Sequence, residues 1–223
     1  MWVLTSDGNM LSLATAAERI CAVDYEPTFA DTLLLDFPSV RKIPLNFNDP
    51  GLLPLTLYDV NGRLAEQKRL HHQFEDADAI LFLFDLTEYD QPLIHDKDGD
   101  ALNEALRQFD MMVNSTAFQS VRVIVIFCNE AGFQHKQLYS PFPRFCPDYQ
   151  GGLLDFPAMM AYLYAKFEAL YRNGHSSLRR YTDIQFLRVD VFDQGSVRPA
   201  MEQLARELKS DTDRVARDVA TPP

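Results

Sequence analysis

Apolar residues follow two different spacings along this chain. Continuous apolar runs are typical of strands buried on both faces of a parallel sheet, whereas apolar residues three or four positions apart indicate helices with one buried face. The first pattern predicts strands within Thr32–Phe47, Pro54–Val60, Ala79–Phe84, Val121–Phe127 and Ile184–Val191. The second predicts helices over Met10–Val23, Glu66–Asp78, Asp100–Val113, Phe156–Arg172 and Ser196–Lys209. Because strands and helices alternate, we expect an α/β layered sandwich with parallel strands.

The remaining segments carry weaker patterns. Met1–Leu4 is short and apolar, and Ser140–Gly152 is a loop rich in Pro and Gly. Ser210–Pro223 is polar and ends in Thr-Pro-Pro, which predicts a frayed tail. The helix over Met10–Val23 has its apolar stripe at Leu13, Ala17, Ile20 and Cys21.

Charge and cysteine content narrow the function classes. The 223 residues carry a net charge of −11 and a pI near 4.8, which argues against an intrinsic nucleic-acid binder and against electrostatic attachment to anionic membranes. The three cysteines lack metal-ligand spacing, so we expect reduced thiols in a cytoplasmic protein. No apolar run is long enough for an intrinsic membrane segment.

The stretch from Leu57 to Asp90 contains candidate metal- and phosphate-binding residues. A predicted strand ends in Asp59-Val60-Asn61-Gly62, just before a loop. An Asp-x-x-Gly in this place can hold a carboxylate near a bound metal ion and the Gly N–H near a phosphate. Asp59 and Gly62 are therefore candidate site residues.

This stretch resembles the switch II region of heterotrimeric G protein alpha subunits. The family pattern is Asp-Val-Gly-Gly-Gln, a basic helix, Phe-Glu-Asp, an apolar strand and Glu-Tyr-Asp-Gln. The chain matches it in register at Asp59-Val60, Gly62, Lys68-Arg69, Phe74-Glu75-Asp76 and Glu88-Tyr89-Asp90-Gln91. It departs at Asn61, where the family has Gly, and at Arg63, where the family has Gln.

Further matches extend the resemblance from about Leu4 to Lys209. Glu18-Arg19-Ile20 and the segment from Tyr25 to Asp31 resemble the end of the inserted helical domain and the linker into switch I, and Phe145–Gly151 is similar to a Cys-Phe-Pro-Glu-Tyr-x-Gly segment. The resemblance implies a Ras-like P-loop NTPase-type sandwich lacking the phosphate-loop strand. It divides the chain into a remnant helix of the helical domain (1–24), an incomplete Ras-like domain (25–209) and a polar tail (210–223).

The resemblance also implies a GTPase that binds GTP or GDP with Mg²⁺. However, no G-x-x-x-x-G-K-[ST] occurs, and no Gly precedes a Lys. The strand that leads into that loop lies mid-sheet in the family. We therefore expect the sheet to lack a central strand, with low solubility or a covering partner, unless Met1–Thr5 fills the gap.

Several catalytic positions differ from the family. The arginine-finger position is Asp36, which would repel developing negative charge, and the metal-ligand Thr is Ser39. Ser39 and Asp59 are the candidate Mg²⁺ ligands; Ser39 could equally be an ordinary serine before a strand. Arg63 has only donors, so it cannot accept a hydrogen bond from an attacking water.

The guanine-reading segment is also incomplete. Asn129 matches the first residue of the family's Asn-Lys-x-Asp, whereas Gly132 replaces the Asp that binds the guanine ring. The second base loop, near Phe186–Val189, is not recognisable. Asp59, Gly62 and Asn129 are thus the vestigial nucleotide-binding residues, and we expect neither tight GTP binding nor hydrolysis.

Partner-binding residues are implied by the same resemblance. In the family, the switch II helix docks the beta-gamma dimer and effectors, which assigns that role to Lys68, Arg69, Leu70 and Phe74. Leu70 stands where the family has Trp, and the tail departs from the receptor-docking end. The implied partners are a beta-gamma dimer and a G protein-coupled receptor, reached at the inner face of the plasma membrane.

Three functions stay open. We expect an alpha-subunit-like signalling protein with degraded GTP binding and hydrolysis. The alternatives are a nucleotide-independent pseudo-GTPase that kept its partner surfaces, or a fragment of a longer active alpha subunit.

Overall fold

A six-stranded sheet lies at the centre of the protein. The computed structural model describes residues 2–4, 26, 40–49, 51–52, 54–60, 77–92, 100–173, 181–191 and 193–220. The strands are β1 (Trp2–Leu4), β2 (Val40–Leu45), β3 (Leu55–Val60), β4 (Ala79–Asp85), β5 (Arg122–Cys128) and β6 (Gln185–Val189). Their order is β2-β3-β1-β4-β5-β6, and all neighbours are parallel except the β2–β3 pair.

Helices cover both faces of this sheet. They are α1 (Ala101–Val113), α2 (Glu130–Lys136), α3 (Phe156–Asn173) and α4 (Gln194–Ala220). α1 begins where it does because the Asp100 carboxylate accepts a hydrogen bond from the Asn103 backbone N–H at 2.7 Å. The buried side chains of α1 and α3 pack on one face, and those of α4 pack on the other.

The first face holds an aromatic core. Phe167 of α3 lies with its ring centroid 5.0 Å from Phe109 of α1 and 5.8 Å from Phe82 of β4. Phe84 and Phe127 complete the cluster, and all five rings are at most 2% exposed. The alternation along β4 puts Ile80, Phe82 and Phe84 on this face and Ala79, Leu81 and Leu83 on the α4 face.

The predicted α/β fold is confirmed, and the bounds of β3 to β6, α1 and α3 lie within two residues of those expected. The prediction of a frayed tail over Ser210–Pro223 is wrong for the residues up to Ala220, because α4 continues to that residue. The segment contains neither Gly nor Pro before Pro222, so it has no helix-breaking residue up to Ala220. The seven-residue helix α2 was not predicted, and the loop over Ser140–Gly152 contains one 3₁₀ turn at Phe142–Arg144.

The central position of the sheet is filled. Trp2–Leu4 pairs in parallel with both β3 and β4, with Val3 opposite Asp59 on one side and Leu81 on the other. Of the two alternatives left open by the sequence, a gap or a strand supplied by Met1–Thr5, the structure has the second. Residues 2–4 therefore belong to the sheet rather than to a helical-domain remnant.

The helix predicted over Met10–Val23 and residues 66–76 of the helix predicted over Glu66–Asp78 lie outside the described residues, and Ala77 and Asp78 are not helical. Within the described ranges, no helix combines the length and the apolar character needed to cross a membrane.

Candidate functional site

The carboxyl ends of the parallel strands gather polar residues at one edge of the sheet. Asp59 is the last residue but one of β3, Asp85 ends β4, Asn129 follows β5, and Asp190 follows β6. Open α/β sheets bind their ligands at this edge. This edge is therefore the candidate site.

The two acidic residues of β3 and β4 differ in their surroundings. Asp59 is half-buried and lies in register with Arg41 of the antiparallel strand β2. Asp85 is used locally, because its Oδ1 accepts hydrogen bonds from the Thr87 N–H at 2.8 Å and from the Thr87 hydroxyl at 2.7 Å. Asp85 thus caps the turn after β4, whereas Asp59 lies one strand along the sheet order beyond β1 and carries the carboxylate predicted to bind a cation.

Asn129 has an unusual backbone. Its φ of 61° and ψ of 43° lie in the left-handed region, the only positive φ at a non-Gly residue among those described. Asn tolerates this conformation better than most residues. It occupies the N-cap of α2, yet its side chain makes no capping hydrogen bond.

The Asn129 carboxamide lies over Gly132. A Cβ built on Gly132 would meet Asn129 Oδ1 at 2.4 Å and its Cγ at 2.9 Å. The space in which a side chain at position 132 would begin is therefore taken by Asn129. A carboxylate at position 132 would need the Asn129 side chain to turn away.

An ion pair joins the two segments that would surround a base. Arg188 Nη1 of β6 lies 3.4 Å from Glu130 Oε1 of α2, and the two side chains are 53% and 34% exposed. Glu130 stands where the family pattern has Lys, and Arg188 lies in the second base segment. The pair thus has its negative charge on α2 and its positive charge on β6.

The Cys128 thiol shows the electrostatic character of this edge. Burial, and after it the nearby carboxylates of Asp85, Asp190 and Glu88, raise the pKa of this thiol to about 12. Three carboxylates acting on one buried thiol indicate a negative potential at the ends of β4, β5 and β6. The thiol is neutral and unreactive at neutral pH.

A buried network ties the end of β4 to α2. Lys136 Nζ donates a hydrogen bond to Asp90 Oδ1 and another, at 2.7 Å, to the Thr87 carbonyl. The Ser140 hydroxyl donates to Asp90 Oδ2 at 2.5 Å. The Lys136 and Asp90 side chains are only 12% and 9% exposed.

Tyr89 completes this network from the core side. Its hydroxyl donates to the Ser140 carbonyl, and its ring packs edge-on against Phe133 at 5.3 Å. Burial raises the pKa of the Tyr89 hydroxyl. Tyr89 and Asp90 of the Glu-Tyr-Asp-Gln match thus have a packing role in this chain. Lys136, which binds Asp90, was not among the predicted site residues. Its one sequence signal is its position at the end of the segment Glu130–Lys136.

Of the predicted site residues, Asp59 and Asn129 lie at the same sheet edge. Ser39, Gly62, Lys68, Arg69, Leu70 and Phe74 lie outside the described residues.

The fit to a guanine nucleotide with Mg²⁺ is poor in the residues described. They contain no group of three or more His, Cys, Asp or Glu side chains that could hold a metal ion. Position 132 offers no carboxylate to a base, and its space is occupied by Asn129. Of the two predicted Mg²⁺ ligands, Asp59 lies within the described residues, and its carboxylate is of the kind that binds a cation.

Comparisons with known proteins agree with the fold. The sequence model of the family described as "G-protein alpha subunit" matches residues 6–207. The chain is similar to a guanine nucleotide-binding protein subunit alpha of Emericella nidulans (35% identity, 79% of this chain and 51% of that protein). It is also similar to a guanine nucleotide-binding protein alpha-2 subunit of Mycosarcoma maydis (34%, 81% and 52%) and to a guanine nucleotide-binding protein subunit alpha of Cochliobolus heterostrophus (34%, 74% and 46%).

The chain spans about half the length of these curated relatives. The family match, by contrast, covers nearly all of the chain and includes every described strand from β2 to β6. The chain belongs to the G protein alpha subunit family.

Proposed function

We propose that this chain is an alpha-subunit-like signalling protein in G protein-coupled receptor signalling whose binding and hydrolysis of GTP are degraded. Family membership supports the signalling role. The proposal of degraded GTP binding rests on the geometry at Gly132. This position has no carboxylate to bind guanine, and the Asn129 side chain occupies the space where a side chain at position 132 would begin.

The missing carboxylate should lower the affinity for guanine strongly. In the family, the replaced Asp binds the guanine ring N–H groups. A hydrogen bond to a charged group contributes about 1.5–3 kcal/mol, so losing two reduces affinity by roughly 10²- to 10⁴-fold. A buried ring donor left without a partner adds a further desolvation cost. Guanine would therefore have little advantage over other bases at this site.

The neighbouring position also differs from the family pattern. Glu130 replaces the family's Lys, and its carboxylate is engaged by Arg188 at 3.4 Å. A carboxylate beside an anionic ligand is unfavourable unless it is neutralised. The ion pair neutralises Glu130 within the protein and offers no replacement contact to a nucleotide.

The implied cofactors are GTP or GDP and Mg²⁺, with Ser39 and Asp59 as the proposed Mg²⁺ ligands. The proposed partners are a beta-gamma dimer and a G protein-coupled receptor, met in the cytoplasm or at the inner face of the plasma membrane. The proposed beta-gamma surface is Lys68, Arg69, Leu70 and Phe74, which lie outside the described residues.

Isothermal titration of the purified chain with GTPγS and Mg²⁺ tests this function, with ATPγS as the control ligand. We expect no guanine-specific heat from protein that is folded by circular dichroism. Stoichiometric, guanine-specific binding at micromolar affinity would overturn the degraded-binding proposal, provided that Asn129→Ala abolishes it.

A nucleotide-independent interaction protein is the second candidate. It is favoured by the Glu130–Arg188 pair, because the protein's own side chains make this contact between α2 and β6. Capture of a purified beta-gamma dimer, with and without added GDP, separates the two. Equal capture in both conditions supports the interaction protein, and capture that depends on GDP supports a nucleotide-binding subunit.

A further inference from the structure

A cavity opens at the amino edge of the sheet, on the opposite side from the candidate nucleotide site. Its volume is about 600 Å³, and its lining includes Arg122, Tyr181, Asp183, Gln185 and Glu207. Arg122 is the first residue of β5, Gln185 is the first residue of β6, and Glu207 belongs to α4. Cavities that bind small molecules measure about 300–1,000 Å³. This cavity therefore has the size of a small-molecule site, and the strands separate it from the residues predicted to bind a nucleotide.

Glu207 contributes a carboxylate that its neighbours hold in place. Its Oε2 accepts a hydrogen bond from Gln185 Nε2 at 2.7 Å, and its Oε1 accepts one from Gln203 Nε2 at 2.9 Å. Both donors are neutral, and no Lys, Arg or His among the described residues forms an ion pair with Glu207. A carboxylate has about four lone-pair sites, so Glu207 can accept further hydrogen bonds from a cationic ligand.

Arg122 contributes the positive charge of the described lining. Its Nη1 donates a hydrogen bond to Gln185 Oε1 at 3.4 Å, and its Cζ lies 5.2 Å from the centroid of the Tyr181 ring. Because Gln185 bridges the two charged groups, Arg122 Nη1 and Glu207 Oε2 are at most about 9 Å apart. A guanidinium carries five N–H donors and matches the two oxygens of a carboxylate. Arg122 can therefore contact Gln185 and a bound carboxylate together.

Asp183 adds a second carboxylate to the lining. It is exposed, and it forms neither a hydrogen bond nor an ion pair with the other residues that the structure describes. The charged groups of the described lining are thus one guanidinium and two carboxylates. Complementary charges favour a ligand with one anionic and two cationic groups.

We propose that this cavity binds a free basic amino acid such as lysine. Arg122 binds the carboxylate of the ligand, Glu207 binds its terminal ammonium, and Asp183 binds its α-ammonium. The flexible four-carbon stem of lysine separates the terminal ammonium from the carboxylate, so Arg122 and Glu207 can be contacted at once. Tyr181 and Ile184, which also line the cavity, offer apolar surface to this stem. The proposal is independent of nucleotide binding, because it uses the opposite edge of the sheet.

Isothermal titration of the full chain with three related ligands tests the site. L-lysine carries all three charges, L-norleucine lacks the terminal ammonium, and cadaverine lacks the carboxylate. We expect lysine to bind at least about tenfold more tightly than either analogue, since each analogue leaves one charged group of the cavity without its contact. Absence of saturable heat from lysine in folded protein, or equal affinity for all three ligands, would overturn the proposal.

Two variants assign the contacts. Glu207→Gln should weaken lysine at least about tenfold and leave norleucine unchanged, whereas Arg122→Met should weaken lysine by a similar factor and leave cadaverine unchanged. Glu202→Gln is the matched control, because Glu202 lies on the same helix and pairs with Arg206 at 3.5 Å rather than with the cavity lining. It should leave every affinity unchanged. A loss of lysine binding in Glu202→Gln that equals the loss in Glu207→Gln would contradict the site.

An exposed variant keeps the test valid if either buried-side variant fails to fold. Asp183→Asn should weaken lysine at least about threefold and leave Nα-acetyl-lysine unchanged, because the acetylated ligand lacks the α-ammonium. Unchanged lysine affinity in folded Asp183→Asn would contradict the assignment. Lysine affinity should also be the same with and without GTPγS, and competition between the two ligands would place lysine at the other edge and refute the proposal.

Discussion

The buried pair of Lys136 and Asp90 is the most informative single contact to perturb. Both side chains are nearly inaccessible, at 12% and 9% exposure. Lys136→Met keeps the aliphatic length but removes the charge and both hydrogen bonds. Asp90 would then keep the Ser140 hydroxyl, at 2.5 Å, and the Gln91 side-chain amide, at 3.4 Å, as hydrogen-bond donors.

The expected loss follows from this geometry. Removing one member of a buried pair costs about 3–5 kcal/mol because the remaining charge stays buried. The Ser140 hydrogen bond satisfies part of the carboxylate, so we expect about 3 kcal/mol. For a chain of 223 residues this is a decrease in Tm of about 6–12 °C.

Urea unfolding followed by circular dichroism measures the change, and a double-mutant cycle isolates the pair. Asp90→Asn in the Lys136→Met background should recover part of the loss, because the uncompensated charge is removed. Arg172→Met is the control, since the Arg172–Glu168 pair is 67% and 40% exposed and is worth about 0.3–0.5 kcal/mol. A loss below about 1 kcal/mol for Lys136→Met, or additivity in the cycle, would refute the reasoning.

Three further predictions follow from the core and the sheet edge. Phe167→Ala should lower the free energy of unfolding by about 3–5 kcal/mol in urea, since this fully buried ring contacts four other core rings; a loss below about 1 kcal/mol would contradict that packing. Asn129→Ala should cost about 1 kcal/mol more than Asn129→Gly, because φ is 61° and Ala is strained there; equal melts would contradict the left-handed backbone. The pKa of Cys128 in the folded protein is about 12, above its ordinary value of 9.0. The contribution of the neutral thiol to stability is therefore complete below pH 9.0. The contribution decreases as the pH rises toward 12, and Cys128→Ala should show a smaller alkaline decline in urea melts.

Local sequence patterns are enough to predict most of the helices and strands. The apolar run over β4 marks a strand because it is buried on both faces, and Asp100 marks the start of α1 because its carboxylate caps the helix. The Glu-Tyr-Asp-Gln match identifies the family because its spacing is a property of the chain itself. These features depend on neighbouring residues, so the sequence alone suffices to predict them.

The helix α2 and the end of α4 were less accessible to sequence reasoning. α2 has only seven residues and begins at a left-handed Asn129, so it lacks an ordinary cap signal. The polar composition after Lys209 indicated a tail, but composition does not separate an exposed helix from a frayed one. In both cases the local signal was too weak to decide.

By itself, the sequence determined the alternation of elements, the family and the loss of the guanine-reading carboxylate at Gly132. Tertiary structure alone decided that Trp2–Leu4 fills the centre of the sheet, that Lys136 meets Asp90 from 46 residues away, and that Asn129 covers Gly132. The physical reason is that strand pairing and buried ion pairs join residues far apart in the chain. Their energies therefore depend on packing that no local pattern encodes.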